Sequence, residues 1–167
     1  KEKFRIMGSY NFDNKEYKFS GQARLTGDWT DHIDLKRGYS SLSISLTKGN
    51  IGGITRFRLL IPITRHTYNE IFWTILINEM GFFTPHRQMI NTTLQGSNEK
   101  LMIFEEKPEK EFLESKGFRE TPSIEFDERQ NWEVVKWDRK KISENLTQLK
   151  IKNPGFLENP TSIKIAI

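Results

Sequence analysis

Apolar and polar positions alternate over most of the first half of the chain. Lys3 to Tyr10 and Glu16 to Thr26 predict two strands, separated by a turn at Asn11-Phe-Asp-Asn14. In the second, Tyr17, Phe19, Gly21, Ala23 and Leu25 alternate with Lys18, Ser20, Gln22, Arg24 and Thr26. A period of two sends each set to its own face, as in a half-buried antiparallel sheet. Gly27 to Gly38 reads as a polar loop holding Trp29. Alternation returns over Ser41 to Thr47, with Leu42, Ile44 and Leu46 expected inside and Ser43, Ser45 and Thr47 outside. A glycine-rich turn, Lys48 to Gly53, leads to a strand from Thr55 to Ile61 that Pro62 halts.

The period then changes. Thr67 to Met80 predicts a long helix, with Phe72, Leu76 and Met80 in one row and Trp73 and Ile77 in the next. Thr67 and Glu70 have capping-box spacing, and Gly81 is placed to end the helix. Its wide apolar face is expected to lie on the sheet. Arg87 to Gln95 and Leu101 to Glu105 predict a hairpin joined by Gly96-Ser-Asn-Glu99, and Glu109 to Lys116 a short helix. Ser123 to Phe126 reads as a further short strand. Trp132, Val134, Val135 and Trp137 mark an amphipathic segment, Lys140 to Leu149 has helical character, and the tail from Lys150 is irregular. The fold class expected is α+β: an antiparallel sheet packed on one long helix, with small carboxy-terminal helices. The sequence divides at residues 1–130 and 131–167.

Composition narrows the function classes. With 35% hydrophobic residues, 12 Phe and 4 Trp in 167 residues, the chain holds enough apolar area to fold as a soluble domain. Net charge is +4, but acids and bases are mixed along the chain, which argues against the basic stripe a nucleic-acid partner needs. The absence of cysteine excludes disulfides, thiolate metal sites and a cysteine nucleophile. No apolar run approaches the ~20 residues of a membrane span. The chain opens at Lys1 directly into strand-like sequence, as expected of a piece of a longer protein.

Four clusters carry candidate chemistry. Asp28, Asp31 and His32 suit a divalent metal by donor type; turn and cap roles explain the two aspartates equally. Lys48-Gly-Asn-Ile-Gly-Gly53 fits neither G-x-G-x-x-G nor a Walker loop, so it reads as a hairpin turn. Arg56, Arg58, Arg65, His66 and Arg87 gather near the helix entry, for anion binding or for pairing with Glu70 and Glu79. Glu105 and Glu106 are adjacent in a strand, so they face opposite ways and make a poor general acid–base pair. No Ser-His-Asp spacing, zincin motif or H-R-D-type loop is present.

Five collinear blocks resemble the CotH-like family of atypical protein kinases. They are ARLTGDWTDH (23–32), SLSISLTKGN (41–50), RFRLLIPITRHTYNEIFWTILINEMGFFTPH (56–86), INTTLQGSNEKLMIFEEKPEKEFLE (90–114) and RETPSIEFDE (119–128). The resemblance implies a kinase-like amino-terminal lobe that binds ATP with a divalent metal, Mg or Mn, and serves phosphorylation of a protein serine substrate. It allows a cell-envelope or extracytoplasmic location. It makes Glu70 the partner of a phosphate-binding base and Phe104, Glu105, Glu106 and Lys107 the hinge that meets adenine. The chain departs from the family in having Ser43 and Ser45 where Arg and Lys are usual, removing a cation for the phosphates. Thr64-Arg65-His66 replaces Thr-Arg-Asn, and Arg119-Glu120-Thr121-Pro122 replaces Arg-Glu-Gly-Pro. Counterparts of the catalytic Asp and the Trp-Asp-like metal segment are missing before Ile167, so the piece alone is expected to be inactive. The alternative is a non-catalytic binding domain on a decayed kinase-like scaffold.

Overall fold

The computed structural model describes residues 2–27, 32–119, 121, 123–126, 149–151 and 158. The chain divides into two compact units, Lys1–Gly117 and Phe118–Ile167, ahead of the 130/131 division expected from the sequence. The first unit is α+β, built on a curled sheet whose six strands all pair antiparallel. Its strands are β1 (Phe4–Phe12), β2 (Lys15–Leu25), β5 (Leu42–Lys48), β6 (Arg56–Leu60), β7 (Arg87–Thr92) and β8 (Lys100–Glu106). They lie in the order β1-β2-β5-β6-β8-β7. A small hairpin of β3 (Ile33–Asp34) and β4 (Tyr39–Ser40) interrupts the region expected to be only loop.

Turn chemistry sets the connections. Asp13 and Asn14 take positive φ, 49° and 58°, as a two-residue hairpin between β1 and β2 requires. Between β5 and β6 the Asn50 side chain accepts the Gly53 amide, and Ile51 bridges Ile54, confirming a hairpin turn. After β6, Pro62–Arg65 forms a 3₁₀ turn that leads to α1 (Asn69–Glu79). The capping box does not form: Thr67 sits at φ 59°, outside the helix, and Tyr68 precedes α1 without a side-chain cap. Gly81 does end the helix, at φ 85°, with its amide on the Asn78 carbonyl and the Phe82 amide on Ile77.

The sheet has one apolar and one charged face. Pairing aligns Ala23, Ile44 and Phe57 in one row, and Leu25, Leu42, Leu59 and Phe104 in the next. The Phe57 and Phe104 rings stack at 4.7 Å, and with Ala23, Ile44, Leu46 and Met102 they form the buried core. Removing either ring would cost about 3–5 kcal/mol. This face encloses a trough of about 1530 Å³ lined also by Phe4, Ile6 and Phe19.

Helix α1 packs on the opposite face, with an orientation the periodicity misjudged. Thr74 is its one buried residue, whereas Phe72, Trp73, Leu76 and Met80 are exposed. The helix therefore turns Glu70 and Thr74, one turn apart, toward the sheet, because the residues waiting there are charged. Ser43 is likewise buried instead of facing solvent. A short helix α2 (Lys110–Ser115) follows β8, burying Phe112 and ending before Gly117 at φ 77°.

In the second unit, β9 (Ile124–Phe126) pairs antiparallel with β10 (Leu149–Ile151), so the tail expected to be irregular from Lys150 begins as a strand. The amphipathic segment at Trp132 to Trp137 lies outside the described residues, as do residues 140–148 of the expected helix. Among the described residues no helix is long and apolar enough to cross a membrane.

Candidate functional site

The charged face is organised around Glu105. Strand register places Arg24, Ser43, Arg58, Glu105 and Arg87 in a single row across five strands. Glu105 lies in β8, flanked by β6 and β7, and is 6% exposed. A carboxylate so placed needs hydrogen-bonded partners. Arg58 donates from Nη1 to Oε1 at 2.9 Å, and Arg87 from Nε to Oε2 at 2.8 Å. These are charge-assisted bonds, the stronger class.

Arg87 ties the helix to this hub. Its Nη1 reaches Thr74 Oγ1 at 3.2 Å, and its Nε lies 3.7 Å from Glu70 Oε2. Glu70 Oε1 in turn lies 3.9 Å from Arg65 Nη1. Arg65 Nε is buried without a hydrogen-bond partner among the described residues. Charges thus alternate from the 3₁₀ turn to the middle of the sheet: Arg65, Glu70, Arg87, Glu105, Arg58.

A second, more basic group lies beside it. The Lys107 amide donates to the Arg56 carbonyl at 3.0 Å, extending the ladder one step past β8. Arg56 pairs with Glu109, which holds its guanidinium above the usual range mainly through that hydrogen bond. Lys107 Nζ lies 3.7 Å from the same Glu109. Burial pushes the Lys107 ammonium below the usual lysine range; Glu109 opposes the shift, and Arg58, Arg24 and Arg56 add to it. Arg24, Arg56, Arg58 and Lys107 therefore share one neighbourhood with fewer carboxylates than cations.

The five residues expected at a nucleotide site divide between the two faces. Glu70, Glu105 and Lys107 come together on the charged face with α1. Phe104 and Glu106 are on the apolar face, where Phe104 stacks on Phe57 and Glu106 Oε2 accepts the His86 amide at 3.1 Å. The backbone of the expected hinge is largely engaged: Glu106 N–H bonds the His86 carbonyl, and Lys107 C=O accepts from Glu109 N–H at 2.8 Å. The partners of Glu70 are Arg87 and Arg65.

Asp28 and Asp31 lie outside the described residues. His32 is buried, with Nδ1 3.0 Å from Ser41 Oγ, which also accepts the Ile61 amide at 3.0 Å. That hydroxyl ties His32 and Ser41 to the end of β6. Among the described residues no group of three or more His, Asp or Glu side chains is arranged to hold a metal.

Sequence reasoning singled out Arg58, Arg65 and Arg87 but not Arg24, Thr74 or Glu109. Arg24 was legible in principle, since it alternates onto the polar face of β2. No model of a known protein family matches the chain, and no curated protein matches it either.

Proposed function

We propose that this chain is the nucleotide-binding lobe of a CotH-like ATP-dependent protein serine kinase, which needs further segments for phosphoryl transfer. The observation that carries the reading is the alternating charge chain from Glu70 in α1 through Arg87 and Glu105 to Arg58 in β6. In protein kinases a base on the strand before the regulatory helix must be held by a glutamate of that helix. Here β6 is the strand before α1, and its Arg58 is linked to the helix glutamate through two intermediates. Supporting it, β8 lies between β6 and β7, so the proposed hinge follows a central strand rather than an edge.

ATP with Mg or Mn is the cofactor pair this reading requires. No metal ligands are assigned among the described residues. The chain's own residues would supply positive charge and a rigid roof over the nucleotide, and the nucleophile-orienting group must come from elsewhere. The second reading is a non-catalytic binding domain on the same scaffold. Ser43 and Ser45 favour it, as do the hinge amides already committed to the sheet.

Titrating ATP and magnesium into the complete protein that carries this chain, then assaying transfer to serine peptides, separates the readings. Saturable binding with transfer supports the kinase. Absence of both binding and transfer rules out the nucleotide reading, and binding without transfer favours the non-catalytic domain.

A further inference from the structure

Helix α1 turns a polar side to the sheet and an apolar side away from it. Thr74 is its one buried residue and meets Arg87, while Glu70 reaches Arg87 and Arg65. The helix has 11 residues. Helices shorter than about 12–15 residues are marginal alone and draw their stability from burying an apolar face. Here that face points outward: Tyr68, Phe72, Trp73, Ile75, Leu76 and Met80 are each between 37% and 63% exposed.

The size and charge of this face indicate what covers it. The six side chains offer roughly 700 Å² of surface, more than the about 300–600 Å² of the largest apolar patch on a typical monomer. The amount is close to the about 800 Å² that each partner gives to a stable protein–protein interface. Between Arg65 and Arg87 the sequence holds neither lysine nor arginine. The face therefore lacks the cations by which an anionic membrane surface is recognised, and a protein surface suits it better.

The face is complementary to itself. In a two-fold contact, residue i meets residue j and j meets i. Laying two copies of α1 antiparallel about Thr74, the middle of the helix, sets Phe72 of one copy against Leu76 of the other. The same operation sets Trp73 against Ile75 and Tyr68 against Met80, so each outward pair is apolar on both sides. At the ends it sets Glu79 beside Asn69, at the start of the other helix.

That end pair explains an acid that is badly placed in a single copy. Glu79 is exposed, and it stands in the last turn of α1, which holds no basic residue. The helix dipole disfavours a carboxylate there and favours one at the amino end. The amino end of α1 begins after Tyr68 without a side-chain cap. An antiparallel second copy brings the misplaced charge of each helix to the uncapped end of the other.

We infer that this chain associates with a second copy of itself through an isologous, antiparallel pairing of α1, with Phe72, Trp73, Leu76 and Met80 at its centre and Glu79 against Asn69 at each end. The inference is independent of the nucleotide reading.

Sedimentation velocity of the complete protein that carries this chain, from about 1 to 100 μM, tests it by mass action. The wild type should form a dimer with a dissociation constant of about 10 μM or tighter. Trp73→Glu should weaken the dimer at least about 100-fold, as expected for a central aromatic anchor. Glu79→Arg should weaken it about 10-fold, and adding Asn69→Glu should recover the affinity to within a few-fold. Arginine at 79 suits its own helix better than glutamate does, so loss of the dimer in that variant is not loss of fold. Met7→Glu, at an 89% exposed apolar residue of β1, should leave the dimer intact. A wild type that stays monomeric overturns the pairing, whether or not phosphatidylcholine–phosphatidylserine vesicles capture it. A dimer that survives Trp73→Glu or Glu79→Arg, or that Met7→Glu weakens equally, overturns it as well.

Discussion

Replacing Glu105 by Ala should destabilise the first unit more than any other single change on the charged face. The side chain accepts bonds from Arg58 and Arg87 at 2.9 and 2.8 Å and is almost wholly buried. Hydrogen bonds to charged groups are worth about 1.5–3 kcal/mol each, and breaking a buried pair by removing one partner costs about 3–5 kcal/mol. Two features pull the value to the lower end. The side chains of Arg58 and Arg87 retain 35% and 22% exposure, so water reaches both guanidinium groups. Arg87 also keeps Glu70 at 3.7 Å. The expected cost is about 3 kcal/mol. Native-state hydrogen exchange at the Ile103, Phe104 and Glu105 amides reads this unit alone, and should accelerate roughly 100-fold. Glu106→Ala is the control, since among the described residues that carboxylate accepts the His86 amide alone, and it should accelerate exchange only about fivefold. Equal acceleration in the two variants, or less than about tenfold for Glu105→Ala, would refute the hub role.

Lys107→Met should raise stability by about 1 kcal/mol at neutral pH, because it removes a charge that burial disfavours. The sign follows from its depressed pKa: the unfolded chain holds the proton more tightly, so the penalty is full below the folded pKa. Stability of the wild type should therefore gain on that of the variant as pH rises from the folded value toward 10.5, the ordinary lysine value, which urea titrations across alkaline pH would show. Gly27→Ala should lower Tm by roughly 5 °C, because φ is +100° and the new Cβ would run into the His32 ring. Gly52→Ala, with φ +59° but open space around it, should cost clearly less in the same melt.

The strands of the first unit were legible because period-two alternation is a local signal that β2 and β5 carry in sequence, while β8 showed itself as a short apolar run, Leu101 to Phe104. Their pairing was not, since nothing local to Ser43 announces that Arg58 lies opposite. That register creates the candidate site. Helix α1 was also visible, yet periodicity reports an apolar row without saying which way it turns. The sheet face beneath α1 offers Arg87 and Glu105, so Glu70 and Thr74 face it and Phe72 and Met80 do not. The capping signal at Thr67 failed for a backbone reason. Thr67 follows His66 in the left-handed region, where the chain leaves the 3₁₀ turn, and cannot serve the amide of Glu70 from there. Pairing of β9 with β10 joins residues more than twenty positions apart, a separation beyond any local pattern.

The most direct measurement is an NMR titration of the complete protein with MgATP, following backbone amides and the Arg Nε signals. The largest shifts are expected on the charged face, at Arg58 and Arg87 and at the β8 amides around Glu105. Shifts confined to the apolar trough around Phe4, Phe19 and Ile90, or none at saturating nucleotide, would contradict a nucleotide lobe that works through its charged face.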